Sequence, residues 1–345
     1  MYKRRTLTRR ELLQSAAAAA GTAALGADVL AWGAPPGELP KLPVRPFGKT
    51  GRSLCMLALG TGQVARRHDF DTGVEIIQHA LDAGITFIDT AKAYRSEKHV
   101  GKAMAGRRKD LFVATKTAQR SYDGAMRELE DSLKQLGTDY LDLWQVHSLG
   151  RRRGGGEQEV AKLQCDDSVM KAMRKMKEQG VVKLVGFTGH TNADHLVQVL
   201  EAPDLEFDAM LFIISAALAR KNQRDWEDKL LPAGVKHGLG LIAMKVYGGG
   251  GAVGEGADKA SPLELLSYVW DRGLPVASVG LNSKQEVDAA VAACKAYAMQ
   301  QQLKEKPSGG GQPPHGDVAL RARFRDIALP FEQPGYVDGA GAAVA

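Results

Sequence analysis

Cysteine is scarce: the 345 residues hold three, Cys55, Cys165 and Cys294. No two lie close together and no Cys-x-x-Cys occurs, which argues against a zinc or iron–sulfur site. An odd count supplies no disulfide framework, although a pairing of two stays open. Long apolar runs are also missing. Outside an Ala-rich stretch near the N-terminus, nothing approaches the ~20 apolar residues of a membrane span, so no stable membrane insertion is expected. No Gly-x-Gly-x-x-Gly follows an early strand, which disfavours a doubly wound dinucleotide-binding sheet. A strong charge excess is lacking too. The formal charge is +6, and Lys3, Arg4, Arg5, Arg9 and Arg10 against Glu11 and Asp28 put +3 of it in residues 1–34. The body carries no footprint for nucleic acid.

What remains is an ordinary globular composition, 44% hydrophobic and 25% charged. Its length suits one α/β barrel as well as two smaller domains. Residues 1–34 stand apart. Thr8-Arg9-Arg10-Glu11-Leu12-Leu13 precedes an Ala/Gly-rich stretch from Ser15 to Ala34. Charged residues, a weakly apolar segment and then small residues are the order of an export signal. The pair Arg9-Arg10 resembles a twin-arginine signal, which implies the twin-arginine machinery as partner and a periplasmic or other extracytoplasmic destination. Cleavage near Gly26–Ala27 and near Gly33–Ala34 both stay open. The plainer alternative is an Ala-rich surface helix with a basic cap.

From Pro40 the chain alternates apolar or period-2 runs with helical ones. The strands are expected at Met56–Gly60, Thr86–Thr90, Leu111–Lys116, Leu141–His147, Val182–Thr188, Ala209–Ser215, Gly240–Val246 and Pro275–Gly280. Helices follow each. The first runs from Asp71 to Ala83 with Val74, Ile77 and Leu81 on one face, and Gly84 stops it. The third opens at Ser121, carries Met126, Leu129, Leu133 and Leu136 inward, sets Arg127 and Asp131 one turn apart outside, and ends at Gly137. Ser261-Pro262-Leu263-Glu264 and Ser283-Lys284-Gln285-Glu286 read as capping boxes opening the seventh and eighth. This pattern predicts an α/β fold, a single (β/α)8 TIM barrel, over residues 35–303. Lys41–Gly51 is expected to form a hairpin plugging its bottom. Ser148–Asp166, with Arg151-Arg152-Arg153, reads as a long loop. Residues 304–345 read as a Gly/Pro-rich tail with one short helix around Val318–Ile327.

In such a barrel, chemistry belongs at the C-terminal strand ends. Strands 2, 3 and 4 present Asp89, Lys116 and His147 there, and Tyr94 lies five residues after Asp89. Neighbouring strands bring the four together. Each alone is easily structural; together at the right ends they are not. A carbonyl accepting hydride develops an alkoxide that must be protonated. A free Tyr, with a pKa of about 10, is a poor acid near neutrality. A nearby ammonium favours tyrosinate, provided its charge outweighs desolvation. Asp89 would keep Lys116 charged and in place, and His147 would orient the carbonyl oxygen.

The residues quoted so far resemble the aldo-keto reductases. Phe87-Ile88-Asp89-Thr90-Ala91-Lys92-Ala93-Tyr94-Arg95-Ser96-Glu97 is similar to that family's strand-2 motif. Ala114-Thr115-Lys116 and Asp142-Leu143-Trp144-Gln145-Val146-His147 resemble its strand-3 and strand-4 motifs, and Pro46-Phe47-Gly48-Lys49-Thr50-Gly51 its opening segment. The resemblance implies an oxidoreductase interconverting a carbonyl and an alcohol with NADP(H) or NAD(H), a catalytic tetrad of Asp89, Tyr94, Lys116 and His147, and no metal. For the cofactor it implies Gly60 and Thr61 after strand 1, and Thr188, Gly189 and His190 after strand 5. It further implies Ser215 after strand 6, Met244, Lys245, Gly248 and Gly249 after strand 7, and Gly280 and Lys284 before helix 8. Gly186-Phe187-Thr188-Gly189-His190 is similar to a subgroup with exported and iron–sulfur members, whose cluster cysteines this chain lacks.

Some positions depart from the family pattern. Glu286 and Ala290 stand where many NADP-preferring members carry an Arg and an Asn, leaving Lys284 to meet a 2′-phosphate. Arg95 follows the tyrosine where Gly is usual. Two other functions compete. One is a nicotinamide-binding sensor with slow turnover. The other is a metal-dependent isomerase or hydrolase using His147, His190 and Asp89, which lacks a His-x-His after strand 1 and leaves Lys116 unexplained.

Overall fold

The computed structural model describes residues 41–149, 155–190, 192–218, 224–304 and 320. The leader, Arg151-Arg152-Arg153 and the tail apart from Lys304 and Leu320 lie outside the described residues, as does, Leu320 excepted, the short helix expected around Val318–Ile327.

A hairpin forms before the first barrel strand, reaching past the expected Gly51 to Cys55. Strands β1 (Val44–Pro46) and β2 (Ser53–Cys55) pair antiparallel, Val44 opposite Cys55. Its turn drives Phe47 into the barrel floor. The ring is fully buried and meets Phe112 edge-on at 6.0 Å. Gly48 sits at φ +55°, and a side chain there would come within 2.4 Å of the Leu239 backbone, so this contact tolerates only glycine. The Lys49 N–H donates to the Gly238 carbonyl at 2.8 Å and ties the hairpin to the chain entering the barrel.

Eight parallel strands close the barrel: β3 (Leu57–Gly60), β4 (Phe87–Asp89), β5 (Phe112–Thr117), β6 (Leu141–Leu149), β7 (Val182–Gly189), β8 (Ala209–Ile213), β9 (Gly240–Met244) and β10 (Val276–Gly280). Closure is between β10 and β3, with Ala277 beside Leu57 and Gly280 beside Gly60. The strands are buried along almost their whole length, so they read as near-continuous apolar runs rather than alternating ones. Each of the eight expected strands is present, with ends differing by up to two residues.

The outer layer is α1 (Val64–Arg67), α2 (Phe70–Asp82), α3 (Glu97–Ala103), α4 (Tyr122–Leu136), α5 (Gly155–Gln164), α6 (Val169–Glu178), α7 (Ala193–Glu201), α8 (Leu231–Lys236), α9 (Pro262–Trp270) and α10 (Lys284–Lys304). Helix α4 begins where the Ser121 side chain accepts the Gly124 N–H, and ends where Gly137 turns left-handed at φ +63°. Its Asp131 pairs with Lys92 rather than with Arg127. The capping box at Ser261 is complete. The one at Ser283 is half made. Ser283 accepts the Glu286 N–H at 3.1 Å, but the Glu286 carboxylate reaches past it to the Asn282 N–H at 2.7 Å. The segment expected as a loop over Ser148–Asp166 contains α5. Leu163 is buried and Val160 packs against the core, while Glu159 is buried beside Arg120, so the helix is held by partners distant in sequence.

Candidate active site

Register decides what meets at the barrel top. Asp89 stands beside Ala114, and Lys116, two residues further up β5, projects on the same side of the sheet. Lys116 is fully buried, and its ammonium donates to Asp89 Oδ1 and to the Thr90 carbonyl, both at 2.7 Å. Burial pulls the Lys116 pKa below the usual lysine range; Asp89, and more weakly Glu97, oppose that pull. The other oxygen of Asp89 accepts from the Ser278 hydroxyl at 3.3 Å.

Tyr94 closes a short 3-10 turn, Lys92–Tyr94, which Arg95 ends in the left-handed conformation at φ +60°. That turn lays the phenol ring over the lysine, with Nζ 4.9 Å from the ring centroid. His147 meets the same ring edge-on, centroids 5.7 Å apart at 82°. It sits where β6 and β7 lose register between Val146 and Leu149, and Ser148 beside it has φ +53°. Such an irregularity re-aims a side chain. Arg120 holds it in place. Its guanidinium donates to the His147 and Ser148 carbonyls at 3.1 and 3.4 Å and to Glu159 at 2.5 Å.

These groups open onto a cavity of about 760 Å³, within the ordinary range for a small-molecule or cofactor site. On the β4–β7 side it is lined by Asp89, Tyr94, His147 and His190. Towards β9 and β10 it is lined by Met244–Tyr247, Gly249–Gly251 and Gly280, and then by Asn282, Gln285, Glu286 and Ala289 at the start of α10. Gly60, Gly62, Gln63 and Arg67 form the lip after β3.

Of the residues expected at the cofactor, Gly60, His190, Met244, Lys245, Gly249 and Gly280 line this cavity. Others lie behind its wall. The Thr61 hydroxyl is bonded to that of Ser96 at 2.9 Å, beneath the Tyr94 turn. Thr188 accepts the Ser148 N–H at 2.9 Å and so fixes the β6–β7 irregularity. Gly189 leaves room for Leu196, to which a Cβ would come within 2.2 Å. Ser215 donates to the Val246 carbonyl at 3.1 Å, and Gly248 is a buried turn at φ +58°. Lys284 is not brought to the cavity: its ammonium pairs with Glu75 of α2 at 3.0 Å. Sequence reasoning missed Ser278, whose signal was its place two residues before Gly280 on the inward face. It also missed Asn282, Gln285 and Arg67, which carried none.

The wall leaves open backbone and unpaired polar groups for a ligand. Gly249 and Gly250 are exposed with φ +69° and +92°, and nothing lies within 4 Å of where a Gly250 side chain would be. The Tyr247 hydroxyl and Asn282 Oδ1 are buried with no hydrogen-bond partner, so polar groups of a ligand would satisfy them. Among the described residues no group of three His, Cys, Asp or Glu is arranged to hold a metal.

A closed eight-stranded parallel barrel thus sets a buried Lys–Asp pair under a Tyr and a His at the edge of the cavity. Residues 56–306 match the aldo/keto reductase family, and the chain belongs to it. It is 44% identical over 117 residues to the Aldo-keto reductase YhdN of Bacillus subtilis (28% of this chain, 35% of that protein). It is 30% identical over 229 residues to the oxidoreductase YrpG of the same organism (59% and 66%). In both, the chain spans less than two thirds of the relative's own length. A Bombyx mori aldo-keto reductase solved in complex with NADP superimposes with a TM-score of 0.61, covering 83% of this chain and 94% of that one at 20% identity, a likeness of fold.

Proposed function

We propose that this protein is a nicotinamide-dependent oxidoreductase that interconverts an aldehyde, ketone or sugar carbonyl with the corresponding alcohol, using NAD(H) or NADP(H). The observation carrying this reading is the convergence of Tyr94, Lys116, Asp89 and His147 at one side of the cavity. When bound, the nicotinamide supplies or takes the hydride. The chain's own residues do the rest. The Tyr94 hydroxyl gives a proton to the substrate oxygen as charge develops there. The Lys116 ammonium beside the ring favours the tyrosinate left behind. Asp89 keeps that ammonium in place, and His147 orients the substrate oxygen. Met244 and the glycines after it form the wall along which the dinucleotide would lie. Tyr94→Phe is expected to lower kcat for carbonyl reduction by ~10²–10⁴ while leaving cofactor affinity nearly unchanged. A variant with undiminished kcat would remove Tyr94 from the chemistry.

The leader belongs to this proposal as well. Arg9-Arg10 ahead of a weakly apolar stretch supports export of the folded protein through the twin-arginine machinery. An extracytoplasmic enzyme of this kind either carries its cofactor out and regenerates it in place or does not use it catalytically, and tight retention is the reading proposed. The double change Arg9→Lys, Arg10→Lys is expected to hold the protein in the cytoplasm on fractionation. Exported protein is expected to retain near-stoichiometric nicotinamide after dialysis; protein that carries none and needs added cofactor would end the retention idea.

A further inference from the structure

Two nicotinamide dinucleotides would serve the proposed chemistry. They differ by a phosphate monoester on the adenosine ribose, which adds roughly −1.5 to −2 charges near neutral pH. The charges around that ribose therefore choose between them. The reacting end of the ligand belongs beside Tyr94 and His147. From there the cavity runs past Lys245–Gly251 to the start of α10, and the adenosine half has that end to occupy.

The charged group at that end is a carboxylate. Glu286 lines the cavity with a carboxylate held by the Asn282 N–H at 2.7 Å and its side-chain amide at 3.4 Å, both on Oε2. Asn282 Oδ1 is a buried acceptor without a donor. Tyr247, nine-tenths buried, has a hydroxyl without a partner, and its pKa is pushed up by burial and then by the Glu286 charge. The Glu286 carboxylate and Asn282 Oδ1 need donors, which ribose hydroxyls supply and phosphate oxygens do not, while the Tyr247 hydroxyl and the Gln285 amide can donate to either. The cation best placed by sequence to meet a phosphate, Lys284, is spent on Glu75 outside the cavity. The cavity's own cations are Lys245 at the exit of β9 and Arg67 at the end of α1.

We propose that this site selects NAD(H) over NADP(H), with Glu286 as the specificity-determining residue: its carboxylate accepts from the adenosine ribose 2′-hydroxyl and repels a 2′-phosphate. This rests on the nicotinamide reading above. It is tested by equilibrium titration of the full-length protein with NADH and with NADPH, following nucleotide fluorescence. NADH is expected to bind at least about tenfold tighter, the equivalent of ~1.4 kcal/mol. Glu286→Gln, which keeps an oxygen for the Asn282 N–H, is expected to close most of that gap by strengthening NADPH. Glu286→Arg is expected to reverse it, and Lys284→Ala to leave both constants unchanged. Equal or tighter NADPH binding by the wild-type protein overturns the selectivity while the nicotinamide reading stands. A ratio unmoved by Glu286→Gln, or a loss of NADPH alone in Lys284→Ala, overturns the assignment to Glu286. Binding of neither dinucleotide at millimolar concentration removes the nicotinamide reading and the selectivity with it.

Discussion

Lys116 is a charge-bearing group in a place without water, and Asp89 is what makes it tolerable. Removing one member of such a pair leaves the other buried and uncompensated, at a cost of ~3–5 kcal/mol. Asp89→Asn is therefore expected to lower stability by that order near neutral pH. The pH dependence has a definite sign. The folded pKa of Lys116 already lies below the unfolded value of about 10.4, and losing Asp89 depresses it further. Between the two values the unfolded chain binds more protons, so stability rises with pH. Thermal unfolding from about pH 6 to about pH 9 should show the variant regaining part of its loss. Adding Lys116→Met should restore most of it at every pH. A loss that ignores pH would mean that removing Asp89 does not change the protonation of Lys116 in the fold over this range.

At the scale of elements, the sheet is tightest where the candidate site needs it rigid. Gly186 of β7 lies beside Ala209 of β8, and a side chain on it would come within 2.6 Å of the Ala209 carbonyl oxygen. Gly186→Ala must push the strands apart, at ~1–3 kcal/mol. Because Thr188 follows on the same strand and His190 just beyond its end, the change should lower cofactor affinity as well as Tm. Ser261→Ala breaks a complete capping box at ~1 kcal/mol; Ser261 does not itself line the cavity, so the change should act mainly on Tm. Equal effects of both variants on affinity would show that the strand spacing does not control the site. The sequence marked Gly186 through its motif, but not the close approach that requires it. It also left α5 unread, because that helix follows a run of glycines and is anchored by Arg120 across 39 residues.

Across the whole molecule, the three cysteines are free and differ in reach: Cys55 and Cys294 are buried, Cys165 is exposed. Burial pushes the Cys55 thiol up and, with a contribution from Cys55, pushes Cys294 up to about 12. Alkylation needs thiolate and access. Native protein at about pH 8 is expected to take one iodoacetamide label, on Cys165, and three only after denaturation. Mass spectrometry of the peptides checks it. Prompt labelling of Cys294 would mean that α10 opens from the barrel far more readily than its packing implies.

The sequence by itself determined the barrel. Eight apolar runs, each closed by a helix with its own start and stop residues, admit few other arrangements, and the strand ends carry Asp89, Lys116 and His147 with Tyr94 close behind. These are local properties, fixed by periodicity and turn chemistry within a few residues. What tertiary structure alone decided is which polar groups face the ligand. Lys284 and Glu286 are two residues apart on one helix, yet one is drawn outward by Glu75, 209 residues away, while the other stays at the cavity wall on the Asn282 amide. Thr188 and Ser215 became struts for the same reason. A hydrogen-bonding side chain goes to the partner that closure of the barrel brings within reach, and no local pattern names that partner.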